Sequence, residues 1–207
     1  MTRDRSEALR WAEEGLWTFE DKRPDERLVG LAVELLMIAG RTAEAEAHLW
    51  RAFEKAPNEQ LYRKLRALGG ETACERALAL LRARAAKESP TQWQRPADLL
   101  VRILMIEQAY DAAWEAVRRY GAAIGLRESL ARDSEATHSA EALEVYRERV
   151  DHLAGAGGDR QYAEAAALVA RMGILRSHGV QAAYVADLKA RFGRKRNFMK
   201  LLADRSN

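Results

Sequence analysis

One cysteine in 207 residues, Cys74, leaves no partner for an internal disulfide and no thiolate set for a multi-cysteine zinc site. It stands in an alanine-rich helical stretch, where a small buried apolar side chain is the expected role. Only four prolines and few β-branched runs are present to interrupt helix, and Ala, Leu, Glu and Arg dominate what remains. No apolar stretch reaches the length of a signal peptide or a membrane span. The chain starts MTRDRSEALRW, and its longest apolar region, LVGLAVELLMIAG at 28–40, is too short to cross a bilayer and carries Glu34. The expectation is a soluble cytoplasmic protein with no membrane partner.

Strong overall charge is also lacking, since the net value is +3, but its distribution is uneven. Residues 188–207 hold seven Lys or Arg against Asp204 alone, a net +6, which leaves −3 on the other 187 residues. The basic character is local, and the body is not a general polyanion binder.

What is abundant is apolar side chains at helical spacing, with 48% hydrophobic residues overall. In 25–57, Val29, Ala32, Val33, Leu35, Leu36 and Ala39 mark one helix, which Gly40 ends where a left-handed residue is needed. Ala45, Leu49, Ala52, Phe53 and Ala56 follow at i, i+4, i+7, i+8 and i+11, one continuous stripe, and Pro57 closes the unit. The pattern recurs. Ala8, Ala12 and Gly15 lie on a helix ending near Asp21 and Pro24, which reads as the second half of a hairpin. Segment 99–121 places Ala113 and Val117 at matching positions but has Gln108 where the turn glycine would stand. Segment 141–172 carries a glycine-rich turn at 155–158. Between these, Thr72-x-x-Glu75 reads as a capping box opening a helix over 73–87, Ser89-Pro90 breaks the chain, and Pro96 suits a helix start.

Gly40, Ala45, Leu49, Ala52 and Pro57 resemble the glycine, first small, large, second small and terminal proline positions of a tetratricopeptide repeat. Small residues let two antiparallel helices approach, and the large one fills the gap. The first helix departs from the pattern, with Val29 and Val33 at the usual aromatic and glycine positions. The segments counted along the chain give about 11 to 12 helices, and the resemblance implies an all-α fold. Antiparallel hairpins would stack as a tetratricopeptide-like right-handed solenoid with a concave face, because such hairpins cannot bury their apolar sides alone. Residues 1–207 then form a single helical-repeat domain, with a hinge candidate at 155–158 and C-terminal capping helices over 178–203.

EEGLWTFEDKRPDERL, HLWRAFEKAPNEQLYRKL and YVADLKARFGRKRNFMKLL resemble the C-terminal helical region of bacterial SWIM zinc-finger-containing proteins. In that family a CxCx(n)CxH zinc module, associated with nucleic-acid or protein binding, lies upstream. No such module is present here, so it would have to lie on another segment, or the chain is a relative without it. No metal ligand carries over.

Among candidate sites, Glu135-x-x-His138, Glu44/His48 and Glu148/His152 place carboxylate and imidazole on one helix face, but a bundle metal site needs two facing Glu-x-x-His motifs. No phosphate loop, nucleophile elbow or Cys/His pair appears, so no catalytic, cofactor-binding or metal residue is assigned. A concave helical face points to a protein or peptide partner, with Arg27, Glu34 and Met37 as candidate contacts. The carboxylate clamp of chaperone-binding tetratricopeptide domains is disfavoured by Arg27, Gly30, Leu31 and Glu34 at its positions. Trp11, Trp17, Trp50 and Trp93 would pack between hairpins or anchor a partner. In FGRKRNFMKLL, 192–202, Phe198, Met199, Leu201 and Leu202 argue for a docked terminal helix, continuing the Tyr184, Leu188 and Phe192 stripe. Lys189, Arg191, Arg194, Lys195, Arg196 and Lys200 are the candidate contacts of a less favoured alternative, an accessory nucleic-acid-binding module. A helical enzyme, the third possibility, would need a buried cluster of ionisable groups in a closed pocket.

Overall fold

A computed structural model describes residues 3–18, 24–87 and 95–204. They form eleven helices and no strand: α1 Arg3–Thr18, α2 Glu26–Ile38, α3 Thr42–Lys55, α4 Glu59–Ala85, α5 Pro96–Ile106, α6 Tyr110–Tyr120, α7 Ile124–Ser134, α8 Ser139–Ala156, α9 Asp159–Ile174, α10 His178–Phe192 and α11 Arg196–Asp204. The expected all-α, helical-repeat arrangement is what the chain forms, with helices packed on their neighbours in sequence. No helix among the described residues is long and apolar enough to cross a membrane. Contacts divide the chain into two compact units, residues 1–107 and 108–207.

In the first unit, α1 to α5 each pack on the next. Asp25 caps α2, its carboxylate accepting from the backbone amides of Arg27 (2.8 Å) and Leu28 (3.3 Å). The same helix ends in a Schellman turn. Gly40, at φ 73°, donates its amide to Met37 O, and the Arg41 amide reaches back to Leu36 O at 2.9 Å. This turn folds α3 onto α2 so that Ala45, Leu49, Ala52 and Phe53 are buried against Val29, Ala32, Val33 and Leu36. Asn58 then caps α4 by accepting from the Leu61 amide at 2.9 Å.

The start of a new helix at Thr72 needs correction. The chain leaves helical geometry at Gly70 instead, with φ 59° and ψ −143°, and Thr72 is already inside the second segment of α4. Those angles are open to glycine at little cost, so the backbone bends there and not at the hydroxyl two residues on. Cys74 is buried as expected. The Ser89-Pro90 break, the end of the first helix near Asp21, and Trp93 lie outside the described residues, as does the Trp17 side chain. Pro96 occupies the first turn of α5.

In the second unit α6 to α11 again pack in sequence, and α11 also lies against α9. Gly157 (φ 79°) and Gly158 (φ 104°) form the turn of the α8–α9 hairpin, within this unit. The C-terminal pair docks as an apolar cap. Phe198 and Leu202 of α11 are buried together with Tyr184 and Leu188 of α10. Phe198 stacks on Tyr162 of α9 at 5.5 Å and meets the edge of Phe192 at 6.2 Å.

Candidate functional site

In the first unit, side chains of α2 and α4 meet through polar groups that the core does not use. Asn58, at the start of α4, donates to Glu26 of α2 at 3.0 Å, and farther along the Lys64 amine lies over Gly30. A Cβ on Gly30 would come within 2.7 Å of that nitrogen, the far end of a flexible side chain. Between the two helices opens a depression of about 690 Å³ lined by Pro24, Asp25, Glu26, Arg27, Gly30, Leu31, Glu34, Gln60 and Lys64.

Two of the three residues named from the sequence for this face, Arg27 and Glu34, line the depression, while Met37 is exposed one turn beyond. Arg27, Leu31, Glu34 and Ile38 recur at i, i+4, i+7 and i+11, a single stripe of α2 that is exposed throughout. Leu31 and Ile38 are 44% and 55% exposed and, with Met37, put aliphatic side chains on the solvent side of α2. The carboxylates of Asp25 and Glu26 are committed to the α2 cap and to Asn58. Arg27, Glu34 and Lys64 have no ion-pair partner among the described residues. The surface therefore presents two cations, one anion and aliphatic patches. Gln60 and Lys64 were not foreseen, because no single-sequence signal says which face of α4 stands beside α2.

The basic segment divides in two. Arg191 is tied to Asp151 at 3.0 Å and Asp187 at 3.2 Å, and both carboxylates hold its guanidinium above its ordinary pKa. The Lys195 amine donates to the carbonyls of Ala154 (2.5 Å) and Gly155 (2.9 Å), a cation placed on the negative end of α8. These two cations are built into the cap. Lys189, Arg194, Arg196 and Lys200 are exposed.

The histidine–carboxylate pairs do not converge. Glu135 receives two bonds from Arg171 (2.7 and 2.8 Å) and one from the Tyr146 hydroxyl (2.9 Å), and these hold its carboxyl below the usual glutamate range. His138 instead lies 3.0 Å from Asp111 through Nε2 and 2.9 Å from Thr137 through Nδ1. Glu44 is held by Arg41 through two 2.6 Å bonds, and Glu148 pairs with Arg127. No group of three or more potential metal ligands forms among the described residues.

Of the tryptophans, Trp50 packs edge-on against Phe53 at 5.9 Å beneath the Arg76 guanidinium, while Trp11 is 61% exposed. A buried polar group of unforeseen position surrounds Tyr62. Its hydroxyl and Glu107 Oε1 fall short of bonding geometry, yet burial, with Cys74 and Glu107 alongside, pushes the phenol well above its ordinary pKa. Glu107 is in turn paired with Arg66 at 3.2 Å.

No protein-family model, curated protein or solved structure matches this chain.

Proposed function

We propose that the chain is a non-catalytic, tetratricopeptide-like scaffold that binds a protein partner through an extended peptide laid along α2 and α4 of the first unit. The observation that supports this reading is the depression of about 690 Å³ between those helices, with Leu31 exposed in its lining and Ile38 farther along the stripe. Exposed aliphatic groups rimmed by uncompensated charges of both signs suit a segment carrying apolar side chains and charges opposite to Arg27, Lys64 and Glu34. If a zinc module of the SWIM type accompanies this scaffold, it lies on another segment.

Selection of a displayed peptide library on the intact chain, followed by titration of the enriched sequences, tests the reading. Enriched peptides are expected to lose about tenfold or more in affinity on Leu31→Asp and to respond to Lys64→Glu according to their charge. Failure to enrich any sequence, or enrichment insensitive to both substitutions, overturns it.

A second reading, an accessory nucleic-acid module, is favoured by the exposure of Lys189, Arg194, Arg196 and Lys200 along the terminal helices. Against it stands the use of Arg191 and Lys195 inside the cap. Fluorescence anisotropy of labelled DNA and RNA over a salt series, with the exposed cations replaced by alanine, discriminates the two.

A further inference from the structure

The exposed stripe of α2 carries charges that its own chain does not use. Arg27 and Glu34 stand seven residues apart, with Leu31 between them and Ile38 one turn beyond Glu34. Seven residues are nearly two whole turns, so the two charges share one face at an axial separation of about 10 Å, too far to pair with each other along the helix. Neither has a residue of opposite charge three or four places away on α2, the spacing at which a helix forms local ion pairs. Elsewhere the chain does use that spacing, in Arg41 with Glu44 and in Arg191 with Asp187.

Such a stripe is complementary to itself. A two-fold axis crossing α2 between Gly30 and Leu31 lays two copies antiparallel, with Arg27 of each opposite Glu34 of the other, once on either side of the axis. Leu31 then lies beside Leu31 of the second copy at the axis, and Met37 falls over Pro24, which lines the depression. A parallel pair would set Arg27 against Arg27 and Glu34 against Glu34, and the same charges oppose it.

The antiparallel register also gives the aliphatic groups a place. Leu31 and Met37, both exposed in the single chain, are covered near the centre, while the ion pairs lie farther out, an apolar middle with a charged rim. Lys64 brings a second unpaired cation to the same face, one turn from the position that Glu34 of the second copy takes. The face is small against the roughly 20–30 residues a side of a standard interface, so a weak and reversible pair is expected.

We propose that two copies of the chain pair through α2 in this antiparallel register, with Leu31 at the two-fold axis and reciprocal Arg27–Glu34 ion pairs on either side. The surface that pairs is the α2–α4 depression, so the second copy holds that face closed until a peptide displaces it. This masking rests on the peptide reading given above, whereas the self-association stands without it.

Sedimentation velocity of the intact chain, over the micromolar range up to about 1 mM, tests the proposal, and a monomer–dimer equilibrium is expected. Arg27→Glu and Glu34→Arg are each expected to weaken it about tenfold or more, since one substitution sets like charges together twice in the pair. A one-to-one mixture of these two variants is expected to associate about as tightly as the parent, because both like pairs become opposite pairs. The double reversal Arg27→Glu/Glu34→Arg in one chain is expected to do the same. Leu31→Asp, at an exposed position, is expected to abolish association while the thermal melt stays cooperative. A chain that stays monomeric throughout, a dimer indifferent to both reversals, or a mixture no tighter than its separate variants overturns the proposal. Peptides enriched on a monomeric chain overturn the pairing and leave the peptide reading standing. A charge-dependent dimer on which no peptide is enriched supports the pairing and overturns the peptide reading. An enriched peptide that dissociates the dimer supports the masking, and one that binds without dissociating it overturns the masking.

Discussion

Gln108 has φ 55°, and it is the one residue other than glycine with a positive φ among those described. It stands where the repeat pattern calls for a turn glycine, and its backbone adopts the glycine conformation without being one. A side chain in the left-handed region costs about 1–2 kcal/mol, partly offset by the smaller entropy a non-glycine residue loses on folding. Gln108→Gly is therefore expected to stabilise the chain by about 0.5–1 kcal/mol in urea unfolding, and Gln108→Val to destabilise it. A loss of stability in the glycine variant would show that the glutamine side chain makes a compensating contact.

Glu135 gives a pH signature at the same scale. Its folded-state pKa is depressed, chiefly by the Arg171 bonds, with Tyr146 adding to them. A depressed carboxyl contributes stability above its unfolded pKa, near 4.3, and that contribution is lost as pH falls through the folded value. Both partners are partly exposed, so Glu135→Gln should cost about 1 kcal/mol at neutral pH and have little effect at the acid end. Chemical denaturation of both proteins across the acid range checks this. A cost that does not shrink on acidification would mean the carboxylate charge is not what stabilises the contact.

At the scale of elements, α11 is held by one deeply placed aromatic and one capping cation. Phe198 is fully buried between Tyr162 and Phe192, so Phe198→Ala is expected to cost about 3 kcal/mol and to release amide protection in α11 before the rest of the unit. Lys195→Met, which keeps the apolar stem but removes the amine from the end of α8, should cost about 1 kcal/mol. Hydrogen exchange that left α11 protected in Phe198→Ala would show that Leu202 and the α9 contact suffice. The docking of this helix was legible in the sequence because its apolar stripe is a local, periodic signal. The same is true of the α2–α3 hairpin, where Gly40, Ala45, Leu49 and Ala52 each state a requirement that neighbouring residues can meet. The bend at Gly70 was not legible. A capping box and a glycine two residues apart both propose a break, and only backbone geometry decides between them. Contacts between helices two apart were hidden for another reason: nothing in the periodicity of α4 says that Gln60 and Lys64 meet α2, or in that of α10 that Arg191 reaches Asp151 of α8.

For the whole molecule, the charge asymmetry of the sequence overstates what is available to a ligand. The last twenty residues carry a net +6, but Arg191 and Lys195 neutralise groups of α8 and α10 and are not free to meet a polyanion. Four of the six candidate contacts, Lys189, Arg194, Arg196 and Lys200, are exposed and without an ion-pair partner among the described residues. Each neutralised phosphate contributes about −0.9 to the slope of log K against log salt for duplex DNA, so a surface of four cations is limited to about −3.6. Binding of duplex DNA by the intact chain should be weak, with a slope no steeper than that value. Arg191→Ala should lower stability and leave the slope unchanged, whereas Arg194→Ala/Arg196→Ala should reduce its magnitude by about two. A slope well beyond four contacts, or one sensitive to Arg191, would mean that the cap opens on DNA and releases its ion pairs, which would promote the nucleic-acid reading over the peptide scaffold.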